Sequence, residues 1–264
     1  MPLTRRATLA VLAGAIGTGL SWRAARGAAQ RKLGLIFPPA GRGVPEEGLA
    51  LYGESIEFLV EGLGLATMTP EGYEAVIDRI GPAAAKLAER GAEAVVLMGT
   101  SLSFYKGEEF NQRLTAGMRA ATGLPVTTMS TAVIEGLKAV GGHRVAAATA
   151  YNDEVNDRLR RFLGEHRFEV LVTTGLGVER VEDIDSVTQP QLMEFCSDVF
   201  RSTTGADALL VSCGGLRTLE ILAPLEARCT VPAVSSTPHA LRAGMRLLGG
   251  SGQVLGYGRL LAGA

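Results

Sequence analysis

Residues 206–214 read Ala-Asp-Ala-Leu-Leu-Val-Ser-Cys-Gly, and residues 92–100 read Ala-Glu-Ala-Val-Val-Leu-Met-Gly-Thr. Each is a short apolar run that stops at a turn-forming residue, the pattern of a strand buried on both faces. The echo continues downstream, where Gly123-Leu-Pro-Val-Thr-Thr-Met-Ser-Thr131 parallels Thr230-Val-Pro-Ala-Val-Ser-Ser-Thr237. Two such units in one chain predict two similar halves. In this pairing Cys213 of one half stands where the other half has Gly99.

Working outward, the apolar runs 32–37, 94–98, 126–129, 145–149, 169–173, 208–212 and 233–235 predict strands. Amphipathic stretches at 46–61, 71–90, 107–121, 152–165, 189–203, 216–228 and 238–248 predict helices between them. Alternating strands and helices imply an α/β fold of two similar lobes, each a parallel sheet flanked by helices. Pseudo-twofold symmetry would place a ligand in the cleft between the lobes, beyond the carboxyl ends of the strands. The expected division is 1–29 leader, 30–140 plus about 236–264 first lobe, and 141–235 second lobe.

The leader carries Arg5, Arg6, Arg23 and Arg26, no acid, and a short apolar run from Leu9 to Leu20. Small residues follow at Gly27, Ala28 and Ala29. Tandem arginines before a weakly hydrophobic core resemble a twin-arginine export signal, which predicts a periplasmic or secreted protein. A mis-assigned start, and hence a cytoplasmic protein, is the alternative. Of the 26 basic residues the leader holds 4, so 22 then face 27 acidic ones, a net charge of −5. Nothing basic enough for nucleic acid is present. A stable membrane association is not expected once the leader is removed, and a monomer or homodimer is. The three cysteines and three histidines are scattered with no Cys-x-x-Cys, which argues against a zinc site.

Three strand ends hold reactive or polar groups. Ser212-Cys213-Gly214-Gly215 places a thiol where a strand is expected to meet a helix, so backbone N–H groups and the helix dipole are expected to lower its pKa. Gly99-Thr100-Ser101-Leu102-Ser103 offers hydroxyls and N–H groups, either an anion cradle or an ordinary helix cap. Tyr151 is either a hydrogen-bond donor to a carboxylate or an interfacial side chain. Leu65, Met68 and Ile184 either line an apolar pocket or cap the core. Cys196 and Cys229 fall within or at the end of expected helices and read as packing residues.

These runs resemble arylmalonate decarboxylases, within the aspartate/glutamate racemase superfamily. The resemblance rests on Met98-Gly-Thr-Ser-Leu-Ser-Phe-Tyr105, Thr128-Met-Ser-Thr-Ala-Val133, Ala148-Thr-Ala-Tyr151 and Ser212-Cys-Gly-Gly-Leu216. Leu35-Ile-Phe-Pro-Pro-Ala40, Gly62-Leu-Gly-Leu65, Thr69-Pro-Glu-Gly-Tyr73 and Gly256-Tyr-Gly-Arg-Leu260 extend it from about residue 32 to 261. It implies a carboxy-lyase that uses no metal, biotin, ATP or pyridoxal phosphate on a small dicarboxylate. Cys213 would be the proton donor. Thr100, Ser101, Tyr151 and the backbone of Gly214 would form a dioxyanion hole. Leu65, Met68, Val181 and Ile184, with Pro39 beside them, would form an apolar pocket. Met68 stands where a smaller aliphatic residue is usual. Racemases of the superfamily carry a thiol on each lobe, so Gly99 marks a vacant second-thiol position. The alternatives are a racemase or maleate-isomerase-like enzyme, or a solute-binding protein.

Overall fold

The computed structural model describes residues 30–264; the expected leader lies outside the described residues. The first sheet is built from β1 (Arg31–Phe37), β2 (Ile56–Gly62), β3 (Ala94–Leu97) and β4 (Val126–Thr128), in the order β2-β1-β3-β4. The second contains β5 (Arg144–Thr149), β6 (Glu169–Gly175), β7 (Ala208–Ser212) and β8 (Ala233–Ser235), in the order β6-β5-β7-β8. Every pairing is parallel, so each sheet repeats the other strand for strand. Apolar runs such as Ala94–Leu97 and Ala208–Ser212 are buried throughout, as strands covered on both faces must be.

Helices α1 (Glu46–Tyr52), α2 (Pro70–Glu74), α3 (Ile80–Glu89), α4 (Thr100–Phe104), α5 (Glu108–Thr122) and α6 (Met129–Ala139) follow the first lobe's strands. Helices α7 (Asp153–Glu165), α8 (Gln189–Arg201), α9 (Leu219–Cys229), α10 (Ser236–Leu247) and α11 (Arg259–Ala262) complete the second half of the chain. The lobes exchange covering helices. A Cβ on Gly136 of α6 would lie 3.1 Å from Val234 of β8, while one on Gly244 of α10 would lie 2.6 Å from Leu33 of β1. The same glycine trick thus seats each helix on the opposite sheet, fastening the lobes together.

Three expectations need correction. The stretch 46–61 is not one helix: α1 ends at Gly53, and Ile56–Gly62 pairs with β1 as an edge strand. The β-branched and aromatic run Ile56-Glu-Phe-Leu-Val60 suits a half-buried strand better than helix. The stretch 71–90 is broken at Val76 into α2, a 3-10 turn (Ile77–Arg79) and α3. The helix expected from 216 begins only at Leu219. Helices α4 and α6 were not anticipated: α4 is a single five-residue turn, and α6 follows directly on β4 with no intervening loop.

Candidate active site

The turns after β3 and β7 face one another across the cleft. Their symmetry extends to single hydrogen bonds. Ser130 Oγ donates to the Thr100 carbonyl at 2.9 Å, and Thr237 Oγ1 donates to the Gly214 carbonyl at 2.9 Å. Each hydroxyl comes from the helix that follows the neighbouring strand of the same sheet, so the two turns are pinned in equivalent ways. Ser236 links the two turns: its Oγ accepts from Thr100 Oγ1 at 2.9 Å and from the Cys213 N–H at 3.2 Å.

Between the turns lies a narrow cleft lined by Pro38, Pro39, Leu65, Met68, Gly99, Thr100, Ser101, Val181, Ile184, Cys213, Gly214 and Gly215, with Arg42 at its edge. Every residue expected in the site lines it except Tyr151. That phenol is buried behind the lining, with its Oη 3.2 Å from Ser212 Oγ. Burial, above all, keeps it protonated far beyond neutral pH, with the Cys213 thiol adding to the effect. It is a neutral hydrogen-bond donor or acceptor there.

The polar side of the cleft is the start of α4. Its first ladder bond runs from the Ser103 N–H to the Gly99 carbonyl at 3.1 Å, so the Thr100 and Ser101 N–H groups stand outside the ladder. Ser103 itself turns inward to Gly99, Thr100 and Ser130 and belongs to the scaffold. The apolar side comes from two equivalent loops, one after β2 and one after β6. They are stitched together by the Thr67–Arg180 bridge, with the Met68 N–H on the Glu179 carbonyl at 2.7 Å and the Val181 N–H on the Ala66 carbonyl at 3.1 Å. Leu65 and Met68 come from one loop, and Val181 and Ile184 from the other, on a 3-10 turn (Val181–Ser186).

The electrostatic expectation for Cys213 is overturned. Helix α9 begins six residues later, at Leu219, so the thiol does not sit at the start of the helix expected to follow its strand. The thiol is 5 % exposed and unpaired with any cysteine. Burial pushes it up to about 11, against the pull of the Gly215 N–H at 3.5 Å, of Arg42 and of the Leu216 N–H. It is therefore a neutral thiol at pH 7. Cys196 and Cys229 are buried free thiols within and at the end of α8 and α9, as packing residues would be.

Two residues near the site carried no role in the sequence. Tyr73, within Thr69-Pro-Glu-Gly-Tyr73, is fully buried, and its Oη has no hydrogen-bond partner. Ser101 and Cys213 are near enough to perturb it, and burial raises its pKa. A buried phenol with no partner is uncommon. Arg42, isolated between Gly41 and Gly43, gave no signal because its neighbours come from the other lobe. Among the described residues no group of three or more His, Cys, Asp or Glu side chains is arranged to hold a metal ion.

Twin parallel sheets, their carboxyl ends facing across a cleft with one thiol and one oxygen-rich turn, define a two-lobed α/β protein with a candidate active site between the lobes. The sequence model of the arylmalonate decarboxylase family matches residues 33–261. The arylmalonate decarboxylase of Bordetella bronchiseptica is 49% identical over 232 residues, covering 86% of this chain and 95% of that protein. The chain belongs to the arylmalonate decarboxylase family, which makes it a carboxy-lyase. A liganded arylmalonate decarboxylase carrying a glycine-to-cysteine and a cysteine-to-serine change superposes with a TM-score of 0.86 at 45% identity, over 89% of this chain and 100% of that one. A maleate isomerase from Pseudomonas putida shares the fold, with a TM-score of 0.81 at 19% identity over 88% of this chain and 98% of that one.

Proposed function

We propose that this enzyme decarboxylates 2-aryl-2-substituted malonates to chiral 2-arylcarboxylic acids without a cofactor, with Cys213 as the proton donor. The observation that carries the reading is the asymmetric pair of turns, a neutral thiol on one side of the cleft and Gly99 on the other. One carboxylate of the substrate lies in the cradle of Thr100, Ser101 and the Gly214 N–H, with the buried Tyr151 phenol behind it on Ser212. The other lies against Leu65, Met68, Val181 and Ile184. Apolar walls solvate an anion poorly and neutral CO2 well, so the carbon–carboxylate bond breaks toward CO2. The electron pair stays behind as an enediolate, whose new charge falls on the retained carboxylate. Each preorganised donor there is worth roughly 3–4 kcal/mol of barrier.

The enediolate then takes the proton from the Cys213 S–H on one face, which forms the C–H bond and leaves a thiolate. A thiol near 11 gives up its proton only to a strong base such as this carbanion, and its thiolate recovers a proton readily from water. A two-base racemase is disfavoured because no donor meets the second face, and a maleate-isomerase-like reaction with two thiols fails for the same reason. Export through the twin-arginine-like leader belongs to the same reading and is checked by fractionating cells that express the whole chain. The test of function is CO2 release from phenylmalonate and its 2-methyl analogue, with chiral chromatography of the product. A folded protein that releases no CO2 from either refutes the reading.

A further inference from the structure

Arg42 is the one charged side chain bordering the inner cleft among the described residues. It also borders both open bays outside it, one toward Glu46 and Arg217 and one toward Gly64 and Thr67. It therefore stands at the rim through which a ligand passes. Its Nη2 donates to Asp185 Oδ1 at 3.1 Å across the lobe boundary. Arg42 sits on the β1–α1 loop of the first lobe. Asp185 sits on the same 3-10 turn as Val181 and Ile184, next to the apolar wall. The side chain of Arg42 is 31% exposed and that of Asp185 is 71% exposed, so the pair is a weak surface tether. Only one of the guanidinium's five donors meets Asp185 within hydrogen-bond distance.

We propose that Arg42 is the specificity-determining residue that selects dianionic over monoanionic ligands, and that Asp185 is the positioning residue that holds its charge away from the departing carboxylate. The proposal rests on the malonate reading above. A malonate enters with two negative charges and the product leaves with one. A cation that borders the inner cleft attracts the first more strongly than the second, which favours substrate entry and product release. Full ion pairing with the departing carboxylate works against the reaction. That group loses its charge as CO2 forms, so a contact made only in the ground state deepens the well without lowering the summit. Asp185 occupies the guanidinium on its outer side and limits this contact.

The test has a binding arm and a turnover arm. In the Cys213→Ser protein, titration calorimetry compares phenylmalonate with phenylacetate. Arg42→Gln is expected to reduce the dianion-to-monoanion affinity ratio about fivefold, and Arg42→Lys to restore most of it. Asp185→Asn is expected to raise that ratio by a similar factor. With Cys213 intact, Asp185→Asn lowers KM and kcat together and leaves kcat/KM near that of the wild type, the signature of added ground-state binding. An unchanged affinity ratio in Arg42→Gln and Asp185→Asn overturns the proposal. So does an equal weakening of both acids accompanied by a lower melting temperature, which would make the pair a structural staple. A wild-type protein that binds phenylmalonate without releasing CO2 removes the decarboxylase reading and leaves the affinity ratio to decide this one. A wild-type protein that binds neither acid removes both.

Discussion

Gly99→Cys places a second thiol on the face of the cleft opposite Cys213. The backbone accepts it, because Gly99 is extended at φ −136° and ψ 96°. Space is the difficulty. The new Cβ would lie 2.6 Å from Pro38 Cγ and 3.2 Å from Leu102 Cβ, so the proline ring must retreat by about 1 Å to reach ordinary carbon contact. Overpacking of this kind costs roughly 1–3 kcal/mol, a melting temperature lower by about 2–10 °C for a chain of this length. The chemical outcome follows from the thiol's acidity. Racemisation needs one thiolate to remove a proton and one thiol to return it. With Cys213 near 11, only about one molecule in a few thousand holds that thiolate at pH 7.5. Racemisation of a single enantiomer of 2-phenylpropionate should therefore be slow at neutral pH and rise about tenfold per pH unit. Chiral chromatography with deuterium incorporation from heavy water reads both. A folded variant that incorporates no deuterium at any pH, and whose decarboxylation product stays as enantiopure as the wild type's, refutes the facing-turn geometry. Pro38→Ala in the same chain should recover the lost stability.

Cys213→Ala should nearly abolish product formation while phenylmalonate still binds, and wild-type-like turnover would take the thiol out of the mechanism. In the intact enzyme the alkaline limb of kcat/KM should fall near pH 11 rather than near 9, the ordinary thiol value, because the proton donor is lost only above its raised pKa. A limb at 8–9 would contradict the buried neutral thiol. Glu47 gives the third test: burial lifts it from 4.5 to about 7, outweighing the Thr218 and Leu219 N–H donors at 2.6 and 2.7 Å. The folded state then holds this proton more tightly than the unfolded chain does. Its stabilisation is full below pH 4.5 and is lost as pH rises through 7, about 3 kcal/mol in all. Glu47→Gln keeps an acceptor for both N–H groups and should flatten that part of the melting-temperature profile, and a variant with the wild-type slope would assign the proton elsewhere.

The strand ladder was legible because the echo between 92–100 and 206–214 is carried by residues buried on both faces, where nothing polar interrupts the run. β2 was missed because it is an edge strand. Glu57 and Glu61 face partly outward there, and a half-buried strand joined to α1 by only Gly53, Glu54 and Ser55 imitates one longer amphipathic helix. The positions that the family resemblance singled out, Val181 and Ile184 included, lie along the cleft, whereas Tyr151 lies behind it. Arg42 and Tyr73 were not. Both owe their position to contacts between segments far apart in sequence, Arg42 with Asp185 and Tyr73 with the turn at Ser101. The acidity of Cys213 was misread for a related reason: the strand end is visible in sequence, whereas the six residues before α9 and the depth of burial are not.

The internal repeat bears on why such a cleft is small and one-sided. Two copies of one unit present equivalent turns to the cleft, so a group that is useful once arrives twice. Acid–base chemistry on both faces of a carbon uses both copies; loss of CO2 uses one. The freed position then passes to packing. Gly99 leaves just the room that Pro38 fills, and on the other side a Cβ at Gly215 would lie 2.6 Å from Ile184. These close approaches narrow the cleft around its single thiol. The same tightening keeps water from the thiol and holds its pKa high, so narrowness and the neutral thiol are one physical consequence. A cleft widened by Ile184→Ala should therefore lower the thiol's pKa as well as admit larger substituents, and the two effects should appear in the same variant.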